Sequence, residues 1–232
     1  MDNREFWNKR YRENPELGSG PGSRGYAAWI KSYVIEKALQ LNDISTIIDI
    51  GCGDLCWFKD GILGDTDYVG VDISEAIIER NRSKFPDLKF KHHDLAEAPI
   101  ELKADLVVSF DVLIHQCSFE LFLRVLKNII SSTKRHALIS YLTPGEQMKV
   151  NDVIPKFIIE NAPASVIEEE KEFLRFFNNL DPNIPRAATA IYGDLKQLIE
   201  RIDRNVVVRP LLQYREHTIY EITKDVCWLK WE

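Results

Sequence analysis

The feature that most constrains the fold is an apolar run that ends at two closely spaced glycines. Residues 46–50 read Thr-Ile-Ile-Asp-Ile, and Gly51 and Gly53 follow. β-Branched residues favour strands, and a strand that is apolar on both faces is typical of the middle of a parallel sheet. Glycines let the chain turn sharply and approach a ligand. With a helix expected from about Cys56, the stretch predicts the start of a nucleotide-binding α/β domain.

A second predicted strand, over residues 68–71, leads to an acidic residue. Asp72 lies 21 residues after Gly51 in the sequence. At this spacing a carboxylate ends the neighbouring strand and can accept hydrogen bonds from both ribose hydroxyls. The glycine turn and the acid together predict a nucleoside-binding site.

The composition of the loop distinguishes between nucleotide ligands. A dinucleotide-binding loop reads Gly-x-Gly-x-x-Gly, whereas the last position here is Cys56. Asp49 precedes the loop, Asp54 follows it, and no Lys or Arg occurs between residues 46 and 58. Carboxylates repel a pyrophosphate and attract a ligand that carries an ammonium and a sulfonium group. The pattern therefore favours S-adenosylmethionine over a dinucleotide.

Four motifs in order resemble those of the class I S-adenosylmethionine-dependent methyltransferases, over roughly residues 40–145. They are Ile48-Asp49-Ile50-Gly51-Cys52-Gly53-Asp54, the segment 69–74, His93-Asp94-Leu95 and the segment 104–115. The sequence departs from the pattern at Leu55, where many relatives carry a third glycine. The resemblance implies a doubly wound α/β fold, with a mostly parallel, seven-stranded sheet in the order 3-2-1-4-5-7-6 and helices on both faces.

The resemblance also implies the residues that bind S-adenosylmethionine. The glycine loop with Asp49 would hold the methionine end, Asp72 the ribose, and Asp94 with the Leu95 amide the adenine. The cofactor-binding residues taken from these motifs are Asp49, Gly51, Cys52, Gly53, Asp72, Ile73, Asp94, Leu95 and Phe110.

Two candidate catalytic residues follow the strand predicted at 104–110. Ligands of open α/β sheets lie at the carboxyl ends of the strands. His115 is the first candidate for a general base because its ordinary pKa lies near neutrality. Asp111 is the second, and it could instead hold the methionine end or orient the acceptor. In an alternative interpretation, Asp111 caps a helix and His115 packs on it.

The N-terminal segment, residues 1–26, combines aromatic residues with a glycine-rich stretch. A short helix is predicted around residues 6–11, and glycines recur between residues 18 and 25. We interpret the segment as a lid, because glycine-rich loops close readily over ligands. By the resemblance, Trp7, Tyr11 and Arg24 would line the site, with Arg24 pairing with the cofactor's carboxylate or an anionic substrate. A flexible arm whose aromatic residues dock on the core is the alternative.

The rest of the chain predicts one domain, residues 1–232, with a helical insertion at 146–190 on the acceptor side. Residues 168–172 are highly charged and are interpreted as a solvated helix face. Helices are expected at 27–41, 74–85, 119–130 and 194–202, and strands at 88–91, 104–110, 137–142, 206–212 and 218–223. The last two strands would form an antiparallel pair.

The composition and charge of the chain argue against a nucleic-acid binder, a membrane protein and a metal site. The net charge is -6 over 232 residues, so a nucleic-acid partner is not expected. Membrane-span-length apolar runs and a signal peptide are missing from the sequence, and the four cysteines form no metal or disulfide pattern. We expect a reduced, cytoplasmic protein without a metal site, and interpret His92 and His93 as a solvated pair.

The function predicted from the sequence is methyl transfer from S-adenosylmethionine to an oxygen or nitrogen of a small-molecule acceptor. Two alternatives remain open at this point: a non-catalytic S-adenosylmethionine-binding subunit of a partner enzyme, and an NAD-dependent oxidoreductase. Neither the acceptor nor the oligomeric state follows from the sequence, because function is carried by the site rather than the fold.

Overall fold

The computed structural model describes residues 2–142, 162–181, 183–214, 216–224 and 227–231. The helices within these ranges are α1 (Asn3–Glu13), α2 (Gly25–Leu41), α3 (Glu75–Lys84), α4 (Phe119–Ser132), α5 (Ala164–Asn178) and α6 (Leu195–Ile202). The strands are β1 (Thr46–Ile50), β2 (Asp67–Asp72), β3 (Lys89–His92), β4 (Ala104–Ser109), β5 (Thr133–Leu142), β6 (Val207–Tyr214) and β7 (His217–Thr223). Short 3₁₀ turns lie at Pro21–Ser23 and Leu113–His115.

The strands form a seven-stranded sheet in the order β3-β2-β1-β4-β5-β7-β6. β1 lies in the middle and pairs in parallel with β2 and β4. β7 is inserted antiparallel between β5 and β6. The predicted strand order is therefore confirmed, as is the antiparallel pair near the end of the chain.

Helices cover both faces of the sheet, as the apolar pattern of β1 predicts. Ile48 and Ile50 are buried in the same apolar cluster as the inner face of α4. Ile47 is buried in the opposite cluster, with the inner face of α2. Because side chains alternate along a strand, Asp49 faces the α2 side of the sheet. A carboxylate is thus placed inside an apolar layer, where it needs hydrogen-bond partners.

The predicted helices at 27–41, 74–85, 119–130 and 194–202 are all present within a few residues. Several begin at side-chain caps, which satisfy backbone N–H groups that have no partner within the helix. Ser74 Oγ accepts from the Ile77 N–H at the start of α3, and Asp194 Oδ1 accepts from the Gln197 N–H at the start of α6.

The helix predicted from about Cys56 is wrong. Residues 51–66 form successive turns between β1 and β2. Leu55, Gly61 and Gly64 have φ values of 51°, 80° and 52°, and a right-handed helix cannot continue through residues in this left-handed region. The glycine loop therefore does not lead into a helix N-terminus, which is the element that binds pyrophosphate in dinucleotide-binding domains.

Helix α5 belongs to the predicted insertion at 146–190. It lies against the start of α2, where Glu170 Oε2 accepts from the Tyr26 N–H at 3.3 Å. None of its described side chains is fully buried, which agrees with a solvated face over residues 168–172. Residues 143–161, including the turn predicted at 143–145, lie outside the described residues. The limits of the insertion and of the lid stay predictions.

A buried carboxylate ties the last strands to the C-terminal residues. Glu221 on β7 is fully buried, and its Oε2 accepts from Arg209 Nε at 3.0 Å and from Arg209 Nη2 at 2.8 Å. Its Oε1 accepts from the Leu229 N–H at 2.7 Å, and the Trp231 indole N–H donates to Oε2 at 3.3 Å. This network lies away from the carboxyl ends of β1 and β2, so it tests folding separately from ligand binding.

We expect Glu221→Ala to lower the free energy of unfolding by about 3–5 kcal/mol, because removing one partner of a buried pair leaves the other uncompensated. Urea denaturation followed by circular dichroism measures the change. Glu120→Ala is the matched control, since Glu120 makes an exposed pair with Arg124 within α4 and should change stability by less than about 1 kcal/mol. Equal effects in the two variants would contradict the importance of the buried network.

Candidate functional site

A pocket opens at the carboxyl ends of the central parallel strands, where the topology places ligands. It is lined by five carboxylates, from Asp49, Asp54, Asp72, Asp94 and Asp111, and by the ammonium group of Lys31. Every predicted cofactor-binding or catalytic residue except Arg24 lines this pocket. The excess of negative charge predicted from the loop therefore holds for the described pocket as a whole.

The glycine loop passes directly beneath the pocket. The N–H groups of Gly51 and Cys52 donate to the Val71 carbonyl at 2.7 and 3.0 Å, which ties the loop to the end of β2. Gly51 and Gly53 have φ values of 74° and 53°. A Cβ at Gly51 would also collide with the side chain of Val112. Glycine is required here for both conformation and space.

Asp72 connects the glycine loop with the start of α3. Its Oδ2 accepts from the Gly53 N–H at 3.0 Å and its Oδ1 from the Ser74 N–H at 2.8 Å. Burial raises the pKa of this carboxyl to about 6 despite these two hydrogen bonds. Since each carboxylate oxygen has a second lone pair, both can still accept from a ribose hydroxyl.

Asp49 is the most deeply enclosed acid of the pocket, with 2% of its surface exposed. Its Oδ2 accepts from the Trp57 indole N–H at 3.1 Å and from the Tyr68 hydroxyl at 3.0 Å. Burial nevertheless raises the pKa of Asp49 to about 7. Within the described residues, Oδ1 accepts no hydrogen bond, so it is available to a cationic ligand. Neither Trp57 nor Tyr68 was predicted from the sequence.

Asp94 is held by the lid as well as by its own loop. Its Oδ1 accepts from the Ala96 N–H at 2.8 Å, and its Oδ2 pairs with Arg4 of α1 at 3.1 Å. The neighbouring Leu95 lines the pocket, and its carbonyl accepts from Asn128 Nδ2 at 2.6 Å. Sequence reasoning missed Arg4, because nothing in the local pattern connects α1 with the loop after β3.

Helix α1 covers the pocket, as a lid would. Trp7 and Tyr11 line the pocket from above. The Tyr11 hydroxyl lies 2.9 Å from Ser19 Oγ, and Ser19 Oγ in turn donates to Asp54 Oδ1 at 2.9 Å. Asn8 Oδ1 accepts from Ser74 Oγ and the Ala76 N–H, so α1 is also fixed to the start of α3.

Arg24 lies behind the pocket wall. Its guanidinium donates to Asp54 Oδ2 at 2.5 Å and stacks on the Phe173 ring of α5 at 5.4 Å. Burial alone would raise the pKa of Asp54, but Arg24 outweighs it and lowers the pKa to about 2. In this arrangement Arg24 neutralises Asp54, so its predicted pairing with a cofactor carboxylate would require this ion pair to rearrange.

Asp111 is fixed on three sides. It accepts from Lys31 Nζ at 2.6 Å and from Ser140 Oγ at 2.7 Å, and His217 Nδ1 lies 3.1 Å away. Burial alone would raise the pKa of this carboxyl, but Lys31 and His217 outweigh it and hold the pKa well below its ordinary value. Asp111 is therefore an ionised anchor in this arrangement rather than a group ready to accept a proton.

Lys31 was missed in the sequence, although a signal existed. It occupies a position on the buried stripe of α2, which includes Ala27, Val34 and Ile35. A lysine on an apolar helix face is unusual unless it has a partner. Besides Asp111, Lys31 donates to the Gly22 carbonyl at 2.6 Å and so connects the lid to β4.

His115 keeps one ring nitrogen free for chemistry. Its Nδ1 lies 2.8 Å from the Ala188 carbonyl, which can only accept, so Nδ1 carries the proton and Nε2 keeps its lone pair in the neutral ring. Burial lowers the pKa of His115, which favours this neutral form. The Trp7 ring packs edge-on against the imidazole at 5.4 Å. His115 thus has the state that a general base requires.

Three further polar side chains near the ends of β3 and β5 have simple hydrogen-bond partners. Tyr141 is buried in the core, where its hydroxyl accepts from the Tyr192 N–H at 2.6 Å. The ring nitrogens of His92 and His93 contact backbone carbonyls of Ile73 and Ala98. Across the described part of the chain, no group of three or more His, Cys, Asp or Glu side chains could hold a metal ion. Within the same residues, no helix has the length and apolar character needed to cross a bilayer.

The strand order and the position of the pocket define the fold of the class I S-adenosylmethionine-dependent methyltransferases. Residues 47–136 match the family described as "Methyltransferase domain". This match covers the central part of the chain, and together with the fold it agrees with the resemblance to class I methyltransferases.

Two solved structures are similar to nearly the whole chain, and one curated protein is similar to about half of it. Magnesium protoporphyrin IX methyltransferase from Synechocystis PCC 6803, with bound S-adenosylhomocysteine, gives a TM-score of 0.63 at 17% identity, covering 96% of this chain and 98% of that one. A methyltransferase from Clostridium acetobutylicum ATCC 824 gives 0.51 at 12% identity, covering 94% and 96%. "Putative methyltransferase 235L" of Invertebrate iridescent virus 6 is 27% identical over 124 residues, 51% of this chain. The chain spans about half (46%) of that viral protein's length.

The raised pKa values predict opposite pH trends for folding and for cation binding. Burial raises the pKa values of Asp49 and Asp72 to about 7 and 6, from the ordinary 3.8. Between about pH 4 and 7 these two residues therefore bind more protons in the folded protein than in the unfolded chain. The free energy of unfolding of the ligand-free protein should fall as pH rises from about 4 to 7. Affinity for S-adenosylhomocysteine, whose ammonium group needs ionised carboxylates, should rise over pH 6 to 8.

Denaturation and calorimetry at several pH values measure the two trends, and the heat in buffers of different ionisation enthalpy counts the protons released on binding. Asp49→Asn is the matched variant, because an amide oxygen can still accept from Trp57 and Tyr68. In the variant, both the free energy of unfolding and the affinity should depend less on pH than in wild type. If wild type and variant showed the same pH profiles, Asp49 would not be the titrating group.

Proposed function

We propose that the protein transfers the methyl group of S-adenosylmethionine to an oxygen or nitrogen atom of a small-molecule acceptor. The observation that carries the proposal is the row of carboxylates, Asp49, Asp72 and Asp94, which lie after or at the ends of three neighbouring parallel strands and line one pocket. Their spacing suits a ligand with a cationic amino-acid end, a ribose and an adenine.

The bare backbone of the glycine loop supports this placement of the cofactor. A nucleoside lying over Gly51 and Gly53 would bring its ribose to Asp72 and its adenine to Asp94 and Leu95. The methionine end would lie towards Asp49, with Cys52, Ile73 and Phe110 as further walls. The Synechocystis structure, similar in fold, contains bound S-adenosylhomocysteine.

The proposed reaction is an in-line displacement at the methyl carbon. The acceptor atom forms a bond to carbon while the carbon–sulfur bond breaks, and the sulfonium becomes a neutral thioether. Alignment of the acceptor supplies much of the rate, and a base removes its proton where it carries one. His115 Nε2 is the proposed base, since Asp111 is held ionised by Lys31 and His217. Asp111 would position the acceptor side of the pocket.

The lid supports a small acceptor. Asn3 Nδ2 donates to the His115 carbonyl at 2.8 Å, and Trp7 packs on the imidazole, so α1 closes the space around the proposed base. A macromolecular acceptor would have to displace α1 and break its contacts with Asp94 and Ser74. A closed pocket also excludes water from the reacting groups.

Calorimetry with S-adenosylhomocysteine tests the cofactor proposal. The ligand should bind, NAD should not compete, and Asp72→Ala should weaken binding by about 1–3 kcal/mol because the ribose hydroxyls lose their acceptor. Asp67→Ala is the control: it lies at the other end of β2, exposed, and pairs with Lys89. Unchanged affinity in a folded Asp72→Ala protein, or tighter binding of NAD, would refute the assignment.

We expect His115→Gln to reduce kcat by about 10²–10⁴-fold, the range for loss of a general base, with little change in affinity for S-adenosylhomocysteine. Wild-type activity should fall as pH drops through the pKa of His115, which burial places below its ordinary 6.5. Tritium transfer to candidate acceptors measures the rate. Retained kcat in the variant would eliminate His115 as the base. If the protein bound the cofactor but methylated an acceptor only after a second chain was added, a non-catalytic subunit would be favoured.

A further inference from the structure

A second cavity lies beside the first, on the adjacent face of the lid helix. It is lined by residues of α1 and of the segment that precedes α6: Phe6, Lys9, Arg10, Glu13, Asn14, Asn183, Ile184 and Pro185. Positions 6, 10 and 13 recur at helical spacing, so they form one stripe of α1. Trp7 and Tyr11, which line the main pocket, form the neighbouring stripe. The same helix therefore borders two cavities.

Arg10 is the exceptional residue of this second cavity. Only 6% of its surface is exposed, yet it makes no ion pair within the described part of the chain. Its Nε donates to the Gly18 carbonyl at 2.9 Å, and neither terminal nitrogen donates a hydrogen bond to another described residue. Burial lowers the pKa of Arg10. Arginine is rarely so buried without a counter-ion, because removing its charge from water costs several kcal/mol.

Aromatic rings hold the Arg10 guanidinium, and Asp54, the carboxylate whose charge acts on it, is already paired with Arg24. The guanidinium carbon lies 5.4 Å from the Trp7 ring and 6.0 Å from the Phe6 ring, so cation–π contacts fix its position. Lys9 and Glu13 also line the cavity, and their side chains pair with each other at 3.8 Å. These two charges offset one another, and the cavity keeps the positive charge of Arg10.

The cavity lies next to the proposed acceptor end of the main pocket. The Trp7 ring, which lines the main pocket, is 5.4 Å from the Arg10 guanidinium and also 5.4 Å from the His115 ring, so it is a neighbour of both. The chain that forms the far wall, residues 183–185, leads to Ala188, whose carbonyl accepts from His115 Nδ1. Arg10 and His115 are therefore connected through Trp7 on one side and through the segment 183–188 on the other.

We propose that the methyl acceptor carries an anionic group, a carboxylate or a phosphate, which Arg10 binds in the second cavity. This inference rests on the proposed function and deepens it by naming the class of acceptor. The guanidinium fork matches the oxygens of either group with two parallel hydrogen bonds. Asn14 and Asn183 also line the cavity, and the Asn183 amide already donates to Asp181 Oδ1 at 2.9 Å. The acceptor's nucleophilic atom would extend past Trp7 towards His115 and the methyl group.

Inorganic phosphate and acetate are the probes. Each is titrated into the full-length protein with and without saturating S-adenosylhomocysteine, and binding is followed by tryptophan fluorescence, since Trp7 adjoins Arg10. Sodium chloride at equal ionic strength and acetamide are the ionic-strength and neutral controls. We expect saturable binding of phosphate, acetate or both to wild type, about tenfold or more weaker in Arg10→Gln. The stronger of the two probes identifies the anionic group.

Arg12→Gln is the matched control, because Arg12 is an exposed arginine on the same helix, and it should bind the anions like wild type. Arg10→Lys keeps the charge without the fork and should give intermediate affinity, so it tests the proposal if Arg10→Gln fails to fold. Equal anion binding by wild type and Arg10→Gln, or no saturable binding by wild type, would overturn the proposal. Failure to bind S-adenosylhomocysteine would instead refute the proposed function, and the titrations without it would still measure the Arg10 cavity.

Discussion

The site depends on one carboxylate that joins three elements. Asp72 ends β2, accepts from the Gly53 N–H of the glycine loop, and accepts from the Ser74 N–H at the start of α3. These bonds fix the loop against the sheet and keep the carboxylate in place although burial disfavours its charge. A buried acid with both oxygens held by backbone donors is a rigid acceptor, which suits recognition of a ribose.

Charge compensation organises the rest of the pocket. Arg24 neutralises Asp54, Lys31 neutralises Asp111 and Arg4 pairs with Asp94, and each of these cations comes from the N-terminal part of the chain. Residues 1–26 and α2 are therefore held by ion pairs to the acids that line the pocket. Asp49 is left with two neutral hydrogen-bond donors, so it stays responsive to a cationic ligand. Arg10 is the converse case, a buried cation that makes no ion pair with any of the described residues.

The region around the glycine loop contains both correct and wrong sequence predictions. The strand before it and Asp72 after it were predicted correctly, because β-branched runs and spaced acids are local patterns. The helix expected from Cys56 was wrong, since Leu55, Gly61 and Gly64 adopt left-handed conformations that no periodicity shows. This error nevertheless supports the prediction that the site does not bind a pyrophosphate, because the glycine loop is followed by turns rather than by a helix N-terminus.

By itself, the sequence determined the central strands and the carboxylates at their ends, because apolar runs and glycine spacing act between near neighbours. The order of the sheet came from the resemblance of its motifs to those of class I methyltransferases. The tertiary structure decided which charges meet. Lys31 and Asp111 are separated by eighty residues in the chain, yet their side chains lie 2.6 Å apart, and this contact determines whether Asp111 can take a proton. The same holds for the tautomer of His115, set by the Ala188 carbonyl, and for Arg10, which has no ion-pair partner among the described residues, since ionisation depends on burial and on partners from distant segments.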